Sequence, residues 1–282
     1  MASSTGIYLR PQTLAEALTA LATRPLTVLA GGTDFYAARS GQAITEPLLD
    51  ITAIAQLRAI SDEGAQWRIG ATATWSDVFR AKLPAQFRGL QAAAREIGGV
   101  QVQNTGTVAG NICNASPAAD GIPALMALDA QIEVSSLAGT RAVPLTGFVL
   151  GVRKTALLAN ELVTGVLVPK RAAARSSFLK LGHRRYLVIS IAMVAAVIDI
   201  DDVGVIAYAG LAVGSCSAMA QRLGTLEQKL VGREALPGLS KWVEMADLAV
   251  LTPIDDVRGT AAYRRDAALT LVKRAIEKAL HE

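Results

Sequence analysis

The sequence is poor in the residues that enzymes most often use for metal binding and acid–base chemistry. Among its 282 residues there are two cysteines, Cys113 and Cys216, and two histidines, His183 and His281. Two cysteines cannot build a disulfide framework or supply four ligands to a zinc ion or an iron–sulfur cluster. The HExxH and GxSxG motifs are absent as well. We therefore expect no metal site and no catalytic side chain in this chain, and a function that depends on a bound organic cofactor or on partner subunits.

Charge is sparse, and its pattern argues against two further classes of partner. Lysine and arginine total 28, aspartate and glutamate total 24, and the net charge is +4. These charges form none of the basic clusters typical of nucleic-acid binding. Residues 187–198 and 203–220 are apolar but short or interrupted, whereas a bilayer span needs about 20 apolar residues. We predict two buried strands around an acidic turn, with no membrane insertion. Met1 to Gly6 does not resemble a secretory signal, so we expect a cytoplasmic protein.

The order of predicted elements indicates an α+β protein in two parts. Thr13 with Glu16, and Thr74 with Asp77, form capping boxes that predict helix starts. The composition changes in the basic, alanine-rich segment from Pro169 to Arg175. We place a domain boundary there, which gives domains of about 1–172 and 173–282, the first divided into subdomains of about 1–55 and 56–172.

Two segments have the composition of a ligand-binding loop. Ala30 to Asp34 places two glycines directly after a predicted strand, where the backbone can approach an anion. Asn104 to Asp120 contains three asparagines, two threonines and two glycines but no lysine or arginine. We expect residues 100–116 to contain little helix. Such segments suit a neutral or anionic ligand held by amides and short side chains, although tight buried turns have a similar composition.

At these segments the sequence resembles the FAD-binding medium subunit of the molybdenum hydroxylases, the family of xanthine dehydrogenase and carbon monoxide dehydrogenase. The second segment resembles the family pattern T-x-G-G-N-x-x-x-A-S/D-P-x-x-D, with Ala109 where the first of the two glycines is common. The resemblance covers nearly the whole chain. Its other segments are Ala30 to Asp34, Arg153 to Ala156 with Glu161 and Leu162, Phe178 to Arg185 followed by Ile189 to Ala192, and Tyr263 to Arg265.

The resemblance implies a fold and a set of FAD contacts. The implied fold is a two-part FAD-binding domain of the PCMH type, followed by a smaller α+β domain with a three-stranded antiparallel sheet and helices. The implied cofactor-binding residues are Ala30, Gly31, Gly32, Thr33 and Asp34 at the pyrophosphate, Thr107, Gly110, Asn111, Asn114 and Asp120 on the opposite side, and Val163 and Lys180 near the flavin.

The resemblance also implies partners. A large subunit would carry the molybdenum cofactor and a small subunit the [2Fe-2S] clusters, in a dimer of heterotrimers. This chain would be the oxidoreductase component that takes electrons from those clusters and passes them to NAD, oxygen or a quinone-like acceptor. Two other functions stay open from the sequence. A stand-alone FAD-dependent oxidase would need a base near the flavin, with His183 as the candidate, and a flavin-free scaffold subunit would have lost cofactor binding.

Overall fold

The computed structural model describes residues 6–281 and begins with a small parallel sheet of strand order β1-β3-β2. Helix α1 starts where the capping box predicts, because Thr13 and Glu16 exchange hydrogen bonds between side chain and backbone. Its buried side chains pack with those of β3 and the residues after it in a small separate core. The elements are β1 (Tyr8–Leu9), α1 (Leu14–Thr23), β2 (Thr27–Leu29), α2 (Thr33–Ala37) and β3 (Leu48–Asp50).

The second subdomain is an antiparallel five-stranded sheet, of order β4-β5-β10-β6-β7, covered by short helices. A large core holds the sheet and helices together, and Trp75 and Phe87 are among its fully buried side chains. The elements are β4 (Ile60–Asp62), β5 (Gln66–Gly70), α3 (Trp75–Arg80), α4 (Arg88–Glu96), α5 (Val100–Thr105), α6 (Val108–Asn114), α7 (Gly121–Ala127), β6 (Gln131–Ser136), β7 (Gly139–Pro144), α8 (Leu145–Phe148), β8 (Val149–Gly151), β9 (Lys154–Thr155) and β10 (Leu162–Pro169), with 3-10 turns at Ala55–Leu57 and Ala85–Phe87.

The expectation of little helix between residues 100 and 116 is wrong, because α5 and α6 occupy most of that segment. The physical reason is local. The Thr107 side chain caps α6 by accepting a hydrogen bond from the Gly110 N–H at 3.0 Å, and Ala115 ends the helix in a left-handed conformation with φ 45°. Polar and glycine-rich composition therefore marks a helix start here rather than an irregular loop.

The C-terminal part contains three long antiparallel strands and a long helix, as predicted, and a two-residue strand extends the sheet at one edge. The two apolar stretches indeed form buried strands around an acidic turn, in which Asp201 Oδ1 accepts hydrogen bonds from the N–H groups of Val203 and Val205. The elements are β11 (Arg175–Leu181), β12 (Ala192–Ile200), β13 (Ile206–Gly214), β14 (Gln221–Arg222), α9 (Gly224–Leu230) and α10 (Ala261–His281), with 3-10 turns at Leu239–Trp242 and Met245–Leu248. Within residues 6–281, no helix is long and apolar enough to cross a membrane.

A cluster of charges joins the two parts of the chain. Asp129, in the turn between α7 and β6, accepts from Arg222 at 2.6 Å and from Arg171 at 2.8 Å. The Arg171 guanidinium also stacks 3.6 Å from the centre of the Tyr208 ring. Burial by itself raises the pKa of the Asp129 carboxyl, but the hydrogen bonds and charges around it, Arg222 foremost, outweigh burial, so its pKa lies below the usual range.

We expect Asp129→Asn to lower the free energy of unfolding by about 1–3 kcal/mol near neutral pH, because the partly buried guanidinium of Arg171 loses its counter-charge and that of Arg222 keeps only Glu227. Since the pKa is lower in the folded state than in the unfolded state, the carboxylate stabilises the fold above the unfolded value of about 3.9 and loses that effect as pH falls through the folded value. Urea denaturation should therefore show a difference from wild type that is full near neutral pH and shrinks as the pH falls below about 3.9. Asp202→Asn changes an exposed carboxylate and is the control. If the stability difference between Asp129→Asn and wild type were the same at neutral and at acidic pH, the expectation would be contradicted.

Candidate functional site

A cleft of about 640 Å³ lies where the small parallel sheet meets the second subdomain. One side is the first glycine segment, which leaves the end of β2 and enters α2. The other side is the part of the second segment that runs from Gly106 through α6 to Asn114. Val163 of β10 also lines the cleft. The cleft thus gathers residues that lie far apart in the sequence.

Both glycines of the first segment are required by the geometry. A Cβ atom on Gly31 would overlap the backbone carbonyl of Thr105, so the two segments touch at this point. Gly32 adopts φ 68°, which disfavours any residue with a side chain, and a Cβ atom there would lie 2.6 Å from the Tyr36 ring. The backbone of the first segment therefore lies directly against that of the second, with no side chain between them.

The second segment is held by hydrogen bonds to its own subdomain. The N–H of Val108 donates to the Ala73 carbonyl at 2.9 Å, and the N–H of Trp75 donates to the Gly106 carbonyl at 3.1 Å. Within the described residues, Oδ1 of Asn111 is buried and has no hydrogen-bond partner. A buried acceptor without a donor is costly unless a ligand or water supplies one. This oxygen lies beside Gly121 at the start of α7, where a Cβ atom would be 3.1 Å away, while the residue itself lines the cleft.

Val163 lies next to a β-bulge in the sheet. The pairing of β10 with β6 shifts register between Val163 and Gly165, and such bulges redirect side chains. The bulge is held by an ion pair between Arg68 and Glu133 at 2.7 Å, and Arg68 also donates to the Thr164 carbonyl at 2.8 Å. Burial opposes ionisation of Glu133, but its bonds to Arg68 and Thr164 keep its pKa below the usual range. Sequence patterns gave no sign of this arrangement.

Asp120 and Lys180, two of the expected contacts, do not line the cleft but pair with each other. Lys180 Nζ lies 2.7 Å from Asp120 Oδ2, with both side chains less than a tenth exposed. Lys180 also donates to the Glu96 carbonyl at 3.2 Å, and the Ser190 hydroxyl donates to Asp120 at 2.5 Å. The pair links α7 and the strand β11 across the two parts of the chain. The remaining ten expected residues, Ala30, Gly31, Gly32, Thr33, Asp34, Thr107, Gly110, Asn111, Asn114 and Val163, all line the cleft.

Several residues near the site were missed or left without a role by sequence reasoning. Arg39 and Arg153 line the cleft although neither lies in the glycine segments, and Cys113 lines it with an exposed side chain. His183 is exposed in the segment between β11 and β12 and is not part of the cleft lining. Arg184, in the same segment, donates to the carbonyls of its own loop. The cleft therefore has cationic groups at its edge but no histidine in its lining.

The fold and the glycine-built cleft define a cofactor-binding protein of two domains, and comparison with known families specifies it. Residues 2–171 match the family described as the FAD binding domain in molybdopterin dehydrogenase, and residues 177–279 match the CO dehydrogenase flavoprotein C-terminal domain. The chain belongs to this family of FAD-binding oxidoreductase components. The resemblance inferred from the motifs, the α+β fold class and FAD as the cofactor of this chain are confirmed.

Relatives extend over most of the chain. The nicotinate dehydrogenase FAD-subunit of Eubacterium barkeri is 32% identical over 80% of this chain and 79% of its own length. The glyceraldehyde dehydrogenase medium chain of Sulfolobus acidocaldarius is 30% identical over 96% of this chain and 97% of its own. A solved structure of carbon monoxide dehydrogenase from Hydrogenophaga pseudoflava has a chain that superposes with a TM-score of 0.87 at 28% identity, covering 100% of this chain and 99% of that one.

The residues of the cleft fit FAD on their own chemistry. FAD brings a diphosphate that accepts hydrogen bonds, and the first segment exposes backbone without side chains in between. It also brings ribityl and ribose hydroxyls, which suit the amide side chains of Asn111 and Asn114 in the lining. The apolar wall at Val163 suits a ring system.

Proposed function

We propose that the chain is the FAD-carrying electron-transfer subunit of a molybdenum-containing hydroxylase or dehydrogenase. The observation that carries the proposal is the cleft, in which two glycine-containing segments meet without side chains between them, inside a chain of the FAD-binding family. When bound, FAD would supply the redox chemistry, taking electrons from iron–sulfur clusters on a small subunit and giving them to NAD, oxygen or a quinone-like acceptor. The protein would contribute binding, orientation and exclusion of water.

The parts of the cleft would have different tasks. The backbone of Ala30 to Asp34 would hold the diphosphate, with Thr107 and Gly110 facing it from the second segment. Asn111 and Asn114 would bind hydroxyl groups, and Val163 would pack against the ring. Asp120 and Lys180, paired behind the cleft, would fix the orientation of α7 against β11 and so the position of the second domain, which we place after residue 172.

We further propose two partner subunits, a large one with the molybdenum cofactor and a small one with [2Fe-2S] clusters, assembled as a dimer of heterotrimers. Support comes from the relatives, whose names describe them as FAD-subunits or medium chains of dehydrogenases. It also comes from the composition, because two cysteines cannot hold a cluster with four cysteine ligands on this chain.

Purification of the native complex, with analysis of flavin, molybdenum and iron, tests the proposal. We expect one FAD per copy of this chain, with molybdenum and iron in the same complex but on other chains. A chain that co-purifies with metal-containing subunits yet carries no flavin would contradict its role as flavin carrier. A flavin-loaded chain that is active alone, without metal, would contradict the role in a complex.

The rate at which the Cys113 thiol is alkylated should report whether a ligand occupies the cleft. Cys113 lies exposed in the cleft, whereas Cys216 is fully buried. Because the thiol is exposed, an alkylating reagent reaches it when no ligand is bound, and the reaction is followed at mildly alkaline pH, where more thiolate is present. We expect saturating FAD to slow alkylation of Cys113 by about tenfold or more, since the reagent and the ligand compete for one space. Intact-mass spectrometry counts the labelled thiols.

Cys216 is the internal control for that measurement. It should stay unlabelled with and without FAD in the folded chain and react after denaturation. Equal labelling of Cys113 in both conditions, at FAD concentrations that saturate binding, would show that the ligand occupies a different place.

A further inference from the structure

Arg153 has an unusual backbone conformation at the edge of the cleft. It occupies the two-residue turn between β8 and β9 with φ 57°, a left-handed conformation that glycine or asparagine normally supplies in such turns. A residue with a long side chain is disfavoured there and persists when its surroundings hold it, often at functional sites. The conformation of the turn therefore does not explain why an arginine occupies this position.

Its contacts connect the two segments of the cleft. The N–H of Arg153 donates to the Ala115 carbonyl at 3.0 Å, which fixes the turn against the end of α6. Its guanidinium donates to Oδ1 of Asn114 and lies 3.8 Å from Oδ1 of Asp34. Asn114 belongs to the second segment and Asp34 to the first. One side chain thus spans the gap in which the ligand diphosphate would lie.

The charge of Arg153 is only loosely compensated within the chain, because its carboxylate partner Asp34 lies 3.8 Å away and is as exposed as the arginine. Neither glycine segment contains lysine or arginine. Arg39, the other arginine in the lining, pairs with Glu46 at 2.5 Å and stacks 3.9 Å from the Phe35 ring centre. Across residues 6–281, the structure gives Nε and Nη2 of Arg153 no hydrogen-bond partner, and the side chain is 57% exposed. Its present partners are the amide oxygen of Asn114 and a carboxylate oxygen of Asp34.

We infer that Arg153 neutralises the diphosphate of FAD and that Asp34 and Asn114 hold its guanidinium between the two segments. The inference rests on the proposed function and adds a residue to it from outside the glycine segments. Backbone amides can donate to a diphosphate but carry no net charge, whereas a guanidinium offers charge and several donors in one plane. The left-handed turn places that group over both segments at once.

Binding titrations with the full chain test this. Arg153→Asn removes the charge but retains a residue that tolerates the left-handed turn. We expect its affinity for FAD to fall by about 10- to 100-fold, and its affinity for riboflavin, which lacks phosphate, by less than about threefold. Lys154→Gln removes an equal charge from the next, exposed residue and should bind FAD like wild type. Arg153→Lys should recover part of the loss.

Salt dependence gives a second measurement that uses FAD alone. The affinity of wild type for FAD should weaken more steeply with ionic strength than that of Arg153→Asn, because the variant lacks the ionic contact. An unchanged affinity in Arg153→Asn, an equal loss for riboflavin, or an equal loss in Lys154→Gln would overturn the inference. Failure of the wild-type chain itself to bind FAD would instead overturn the proposed function.

Discussion

Replacing Gly31 by alanine is expected to reduce the affinity for FAD by about 100-fold or more. The added Cβ atom would overlap the backbone carbonyl of Thr105, and a backbone group cannot move aside as the end of a flexible side chain can. Relief requires the first and second segments to separate, which destroys the surface that they form together. The loss should be seen by flavin fluorescence titration and by the flavin content of the purified variant.

Gly147→Ala is the matched control for this change. Gly147 lies in the short helix α8, and a Cβ atom there would meet no atom within 4 Å. The control should bind FAD like wild type, and its stability should be equal or slightly higher, because alanine favours helix. Wild-type affinity in Gly31→Ala would show that the close approach of the two segments does not determine binding.

Lys180→Met should destabilise the flavin-free chain by about 3–5 kcal/mol, the range found when one partner of a buried ion pair is removed. Methionine keeps most of the volume of the side chain but leaves the Asp120 carboxylate buried with only the Ser190 hydroxyl as a hydrogen-bond partner. Thermal denaturation should show a lower midpoint, by about 2–4 °C for each kcal/mol in a chain of this size.

A double variant distinguishes the ion pair from general packing. Asp120→Leu in the Lys180→Met background removes the unpaired carboxylate, so the double variant should be more stable than the sum of the two single losses predicts. Strict additivity would mean that the two side chains contribute independently and that their pairing does not stabilise the domain contact.

The two segments that line the cleft could be recognised from the sequence because the physical requirement there is local. Two adjacent glycines after a strand, and a long polar segment without cations, require only neighbouring residues to be recognised, and the structure brings Ala30 to Asp34 together with residues 107–114. Composition misled at α5 and α6, because the Thr107 cap uses the same residue types as an irregular loop. Sequence signals of strands and helices were otherwise sufficient for the fold class and for the order of elements in the C-terminal part.

Features that depend on distant contacts could not be predicted from local patterns. Lys180 and Asp120 are 60 positions apart, and nothing near either residue shows that they pair with each other rather than face the cleft. The bulge beside Val163 depends on Arg68, which is 96 positions from the carbonyl it holds. Arg153 belongs to a recognisable motif, but its left-handed turn and its reach over Asn114 appear only in three dimensions.

The separate core of the first subdomain has a consequence for the chain before it acquires its cofactor. Of the buried side chains that the structure places in that core, Leu162 alone comes from beyond residue 57. A unit with so few shared contacts opens at a lower free energy than the whole protein. If FAD binds both sides of the cleft, it stabilises the closed form. The ratio of closed to open chains would then rise by a factor of about 1 plus the ratio of the FAD concentration to Kd. We therefore expect FAD to protect this N-terminal unit from limited proteolysis.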